Sequence, residues 1–163
     1  MSRPLIPLLP FAAALSVAGF VSGVMLGGGR AAAETLVTVE SKFPVKETLD
    51  RLSAELDKRG IKVAARIDHA AGAKAVGLEL PPIEVLLFGN PKLGTPLMQS
   101  NPAIGIDLPM KVLAWQDKAG KTWVGYNAAD ALAARHAIKD RDDIVKAMGG
   151  TLAGLVKAAS GQP

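Results

Sequence analysis

This sequence predicts a single compact α+β domain: an antiparallel or mixed sheet with helices packed on one of its faces. Three observations carry that reading. The segments run strand, helix, three or more strands, then helices, which is not the strict alternation of a doubly wound sheet. Two of the strand segments flank a short turn and read as a hairpin. The helical segments are amphipathic, so they bury one sheet face and leave the other to solvent or a partner.

Taken in order, Thr35 to Ser41 (TLVTVES) alternates apolar and polar residues and is rich in β-branched side chains, the pattern of a strand. Pro44 suits a first helical turn, Val45, Leu49, Leu52 and Leu56 recur at helical spacing, and Gly60 stops the helix. Ile61 to Asp68 is the second strand, with Ile61, Val63, Ala65 and Ile67 as one alternating stripe. His69 to Gly77 fits either a helical turn or a loop, and Pro81-Pro82 breaks whatever precedes it. Ile83 to Phe88 is apolar enough for a central strand. Asn90 to Asn101 reads as loop with one short helical piece, Thr95 as its N-cap and Pro96 as its first residue. Ala103 to Leu108 reads as extended. Met110 to Gln116 and Lys121 to Tyr126 flank Asp117-Lys118-Ala119-Gly120 and form the hairpin, with Trp115 and Trp123 in its two arms. Asn127 can cap a helix from Ala128 to about Ile138, and Asp140 a last helix from Arg141 to Ala159. Ile144, Met148, Leu152 and Leu155 form the stripe of that last helix, and Gly149-Gly150 points to a kink, a close helix–sheet contact, or two shorter helices.

The first 33 residues are a separate matter. Arg3, an apolar run from Leu5 to about Gly29, and the small residues Ala31-Ala32-Ala33 are the three parts of a secretory signal. Cleavage is expected after Ala33, and the alternative is an uncleaved membrane anchor. Either way residues 34–163 are expected across the membrane, in a periplasmic or secreted location. Without Arg3 and Arg30 the formal charge falls from +4 to +2. The remaining bases are mixed with acids and form no stripe, which gives nucleic-acid binding little support. The chain has no cysteine, so thiol nucleophiles, iron–sulfur clusters, cysteine zinc sites and covalent haem are excluded. An exported domain of this kind rests on its core alone.

Few residues carry chemistry. His69 follows Asp68 at a strand end, and His136 follows Arg135 in a helical segment. Either imidazole could serve as an acid, a base or a ligand, beside the plainer roles of a solvated or backbone-bonded side chain. No HExxH-like spacing is present. Phe88 to Gln99 (FGNPKLGTPLMQ) sets Gly, Pro and Asn directly after an apolar strand, the makings of a loop of fixed shape. Asn90 in it could read a ligand or tie the turn. Met98, Met110 and Met148 read as core fillers, although thioethers are also soft metal ligands. The serines lack the setting of a nucleophile elbow.

IDHAAGA (Ile67 to Ala73), FGNPKLGTPLMQ, IDLPMKVLAW (Ile106 to Trp115), VGYN (Val124 to Asn127) and ARH (Ala134 to His136) stand in order along the chain. Together they resemble the successive motifs of the domain of unknown function 302 family, from about Thr35 to about Ala159. The resemblance implies a compact α+β domain that self-associates as a homodimer. The polar motif residues it carries over are Asp68, His69, Asn90, Thr95, Asp107, Arg135 and His136. They stand as candidate ligand-binding residues of one pocket. The expected role is an exported module that binds a small molecule or acts as a dimeric interaction domain. The alternatives are an enzyme using a histidine as acid or base, and a metal or non-covalent haem binder through His69 and His136.

Overall fold

The structure, a computed structural model, describes residues 35–163; the expected secretory signal and its cleavage point lie outside the described residues. The chain runs β1 (Leu36–Ser41), α1 (Val45–Lys58), β2 (Lys62–Asp68), α2 (His69–Ala75), β3 (Ile83–Gly89) and α3 (Pro91–Ser100). After a 3-10 turn (Pro102–Ile106) come β4 (Met110–Gln116), β5 (Thr122–Asn127), α4 (Ala129–Arg135) and α5 (Asp142–Ser160). The strands form one sheet in the order β1-β5-β4-β3-β2, and every pairing is antiparallel. The predicted α+β class holds, in its purely antiparallel form.

Helices α1 and α5 pack against each other and across one face of the sheet. Leu49, Leu52 and Leu56 of α1 meet Leu152, Leu155 and Val156 of α5 in a core that also takes Leu86, Val112 and Val124 from the strands. Arg66 fastens the edge strand β2 to this layer, bonding Asp50 of α1 at 2.5 Å and Glu84 of β3 at 2.6 Å. The opposite sheet face carries Ile67, Val85, Leu87, Leu113, Trp115 and Trp123, none of them fully buried.

Several local readings are corrected. The single stripe expected on β2 is split by a bulge between Val63 and Ala65. Val63 stands opposite buried Phe88, while Ala65 and Ile67 stand opposite Leu87 and Val85 on the open face. Helix α3 starts at Pro91, not Pro96, and its cap is Asn90, not Thr95. Both positions are a capping residue followed by proline, and the pair nearer the strand end nucleates the helix. The segment expected to be extended is the 3-10 turn, capped by Asn101, whose Oδ1 accepts from the Ala103 N–H at 3.0 Å.

Asn127 belongs to the sheet, opposite Leu36, and caps nothing. Helix α4 ends at Arg135 because Ala137 turns left-handed at φ +52°. The Ala137 and Ile138 N–H groups then close back onto Ala134 and Ala133, a Schellman turn. Asp140 bonds Ser100 and Arg141 instead of capping, and α5 runs unbroken through Gly149-Gly150. The close approach at Gly149 is to another helix: a Cβ there would lie 3.7 Å from that of Ala129 in α4.

Trp115 and Trp123 face each other directly across the hairpin. Trp123 Nε1 donates to Asp117 Oδ2 at 2.8 Å, while Asp117 Oδ1 accepts from the turn N–H groups of Ala119 and Lys121. The Trp115 ring lies over Gly125 so closely that a Cβ there would sit 2.9 Å from it. Gly125→Ala is therefore expected to cost about 1–3 kcal/mol by overpacking. Adding Trp115→Leu should recover most of that cost in a four-member urea-unfolding cycle. Equal costs in both backgrounds would show that the ring is not what demands glycine.

Candidate functional site

One end of the sheet builds a cleft. Antiparallel pairing brings the start of β2, the end of β3 and the start of β4 together there, with Lys62 opposite Gly89 and Phe88 opposite Met110. Helix α3 and the 3-10 turn fold over one side, and α5 supplies Met148, Thr151 and Leu152. The cleft measures about 740 Å³, within the range of small-molecule sites. Its walls are Ile61, Val63, Phe88, Leu93 and Leu108 with glycines between them. Lys62 is the one ionisable side chain that lines it among the described residues.

Asn90 sits half-buried on the rim. Its Oδ1 accepts the Lys92 N–H at 3.0 Å, the capping bond that starts α3. Its amide nitrogen makes no hydrogen bond among the described residues, so one polar atom shapes the loop and the other is left as a donor.

Asp107, Arg135 and His136 meet just behind the cleft wall. His136 Nε2 lies 2.6 Å from Asp107 Oδ2, and Arg135 Nη1 reaches both oxygens at 3.1 and 3.2 Å. The Asp107 and His136 side chains are 14% and 9% exposed. The His136 hydrogen bond, then the Arg135 hydrogen bond and charge, hold the Asp107 carboxyl below its ordinary range, against the burial that pushes it up. Asn101 Nδ2 donates to the His136 carbonyl at 2.9 Å. These bonds lash the end of α4 to residues 101–107, and Gly105, Leu108 and Pro109 from the same segment form cleft wall. None of Asp107, Arg135 and His136 lines the cleft itself.

The other candidates lie elsewhere. Thr95 is exposed on α3 and does not line the cleft. Asp68 and His69 sit at the far end of β2, roughly 20 Å along the strand from Lys62 at 3.3 Å per residue. There Asp68 caps α2 by accepting the Ala71 N–H at 2.8 Å, and His69 is exposed. One pocket holding all seven residues, or one ion held by both histidines of a single chain, is therefore not what the fold builds. Because β2 and β3 are antiparallel neighbours, the residues that follow them lie at opposite ends of the sheet. Asn101 was missed as a contributor, although Asn101-Pro102 repeats the signal of Asn90-Pro91.

Fold and site together define an α+β domain with an open antiparallel sheet and an apolar cleft at one sheet end. The chain belongs to the family described as domain of unknown function DUF302, which matches residues 37–158. All five motifs that resembled this family fall inside that stretch. A crystal structure of an uncharacterized conserved DUF302 protein from Bacillus stearothermophilus shares the fold, with a TM-score of 0.71 and 23% identity over 78% of this chain and 99% of that one. Similar relatives include the Fluoride-specific ion channel FluC 1 of Brucella suis biovar 1 (strain 1330), 46% identical over 77% of this chain and 50% of that protein. FluC 2 of Brucella melitensis biotype 1 is likewise 46% identical, over 77% of this chain and 47% of its own length. The chain thus spans about half the length of the curated relatives it matches.

Proposed function

We propose that this domain is an exported, non-catalytic module that holds a small apolar molecule in the cleft at Asn90 and self-associates as a homodimer. The observation that carries the reading is the cleft lining. It is mainly aliphatic, thioether, proline and glycine, with Phe88, with Asn90 and Thr151 as neutral polar side chains, and with Lys62 as its one ionisable side chain among the described residues. Acid–base catalysis needs a titratable group within hydrogen-bond reach of the substrate. Asp107 and His136 have the right spacing for such a pair, but they face each other behind the wall and brace it. The open sheet face supports self-association: a second copy stacked about a two-fold axis would cover Leu113, Trp115 and their neighbours with the same residues.

The channel name belongs to the Brucella proteins, and fluoride is not the ligand proposed. A strongly hydrated anion would surrender its water to aliphatic walls with few donors in return. Among the described residues no helix is long and apolar enough to cross a membrane.

The test is native mass spectrometry of the full-length gene product recovered after export. A dimer retaining a small organic mass is expected. Thr151→Trp, which pushes a ring into the cleft from α5, should expel that mass and leave the dimer and the circular dichroism spectrum intact. Retention of the mass by Thr151→Trp would place the ligand elsewhere. A monomer would remove the dimer from the proposal.

A further inference from the structure

The chain has five methionines, and the three within the described residues, Met98, Met110 and Met148, all line the one cleft. They come from α3, β4 and α5, elements brought together only by the tertiary fold. Met110 and Met148 are buried, while Met98 is 38% exposed at the mouth. Core filling alone gives no reason for all three to converge on this one cleft. Thioether sulfur is polarisable and makes favourable contacts with the edges of aromatic rings, and unbranched methionine adjusts to the shape it meets.

Glycine contributes to the same wall. Gly60, Gly89, Gly94 and Gly105 line the cleft, so stretches of it are bare backbone on which a flat molecule can lie. Gly105 lies beside Met98, whose Sδ would be in ordinary contact with a Cβ at that position, 3.6 Å away.

Beside Thr151, whose hydroxyl donates to the Ala147 carbonyl, two polar side chains at the rim offer donors. The Asn90 amide nitrogen has no partner among the described residues, its oxygen being engaged by Lys92. Lys62 makes no ion pair among the described residues. Both are donors, and no carboxylate lines the cleft. A ligand that satisfies them presents an acceptor oxygen.

We infer that the ligand is a planar, conjugated molecule bearing a carbonyl oxygen, its ring held among Met98, Met110 and Met148 and its oxygen facing Asn90 and Lys62. This rests on the binding-module reading and narrows it to a ligand class. The aliphatic walls would serve a fatty chain as well, but only a ring gains from thioether sulfur at its edge.

The test follows the methionine ε-methyl groups of the full chain by 13C NMR, assigned with single Met→Leu variants. Menadione (a two-ring quinone) and 1-decanol (an aliphatic alcohol with an acceptor oxygen and no ring) are titrated separately. Menadione is expected to give ring-current shifts at all three methyls. Asn90→Asp keeps the capping oxygen and removes the donor, and Lys62→Met removes the ammonium. Each is expected to weaken menadione about five- to tenfold, with the spectrum of the free protein otherwise unchanged. If decanol moves the three methyls and menadione does not, the planar class is wrong and the binding-module reading survives. If menadione binds equally well to both variants, the carbonyl anchor is wrong. If neither probe moves any methyl, the class and the underlying reading fall together.

Discussion

Leu152→Ala is expected to lower the unfolding free energy by about 3–4 kcal/mol. Leu152 is 1% exposed on α5, where one side of it belongs to the core and another to the cleft floor. Removing three carbons loses their transfer free energy and leaves a cavity that the two packed helices cannot close by small shifts. The cavity also opens the cleft floor inward, so ligand affinity should fall with stability. Urea unfolding followed by circular dichroism reads the effect as a lower midpoint at unchanged slope. Met148→Leu is the control, a swap of similar volume on the same helix expected to cost less than about 1.5 kcal/mol. A Leu152→Ala cost below about 1 kcal/mol would mean that α5 is not seated on the core as described.

The second large effect lies at Asp107 and His136. His136→Ala is expected to cost about 2–3 kcal/mol at neutral pH, because it leaves a mostly buried carboxylate with only the exposed Arg135 as partner. The pH dependence has a definite sign. The folded-state pKa of Asp107 is lowered, chiefly by the His136 bond. Its contribution is therefore complete above the unfolded carboxyl value of about 4 and is lost as pH falls through the lower folded value. Urea midpoints measured from about pH 2.5 to pH 7 should drop at the acid end in the unaltered protein, and Asp107→Asn should flatten that drop. An Asp107→Asn curve parallel to that of the unaltered protein would show that other carboxylates carry the acid sensitivity. Because these side chains brace the Gly105–Pro109 wall without touching its contents, His136→Ala should also weaken ligand binding through the loosened wall.

Element identities were largely legible. The stripe Val45, Leu49, Leu52, Leu56 marks α1, and turn chemistry at Asp117 to Gly120 joins two strands whose tryptophans do pair. Those signals are local, because hydrophobic period and turn preference are set within a few residues. Boundaries were less legible where the same chemistry repeats. Asn90-Pro91, Thr95-Pro96 and Asn101-Pro102 all look like helix starts, and two of them are. The bulge in β2 was hidden for another reason. An alternating sequence gives no sign of where an edge strand will slip by one residue against its neighbour.

The candidate site was legible residue by residue and not as a site. Seven polar residues stood out, yet the fold gathers Asp107, Arg135 and His136 behind a wall, leaves Asn90 alone on the rim, and sends Asp68 and His69 to the other end of β2. Meanwhile the methionines, read as filler, share the open cleft.

The sequence by itself determined the secondary-structure vocabulary, the α+β class, the family, and the exclusion of cysteine chemistry. Each follows from composition or from patterns a few residues long. Only the tertiary structure decided the strand order, the split stripe of β2, the brace behind the wall and the meeting of three methionines. These depend on which apolar faces bury one another across dozens of residues. No local preference encodes that outcome, because burial is non-directional and is resolved only when the whole core closes.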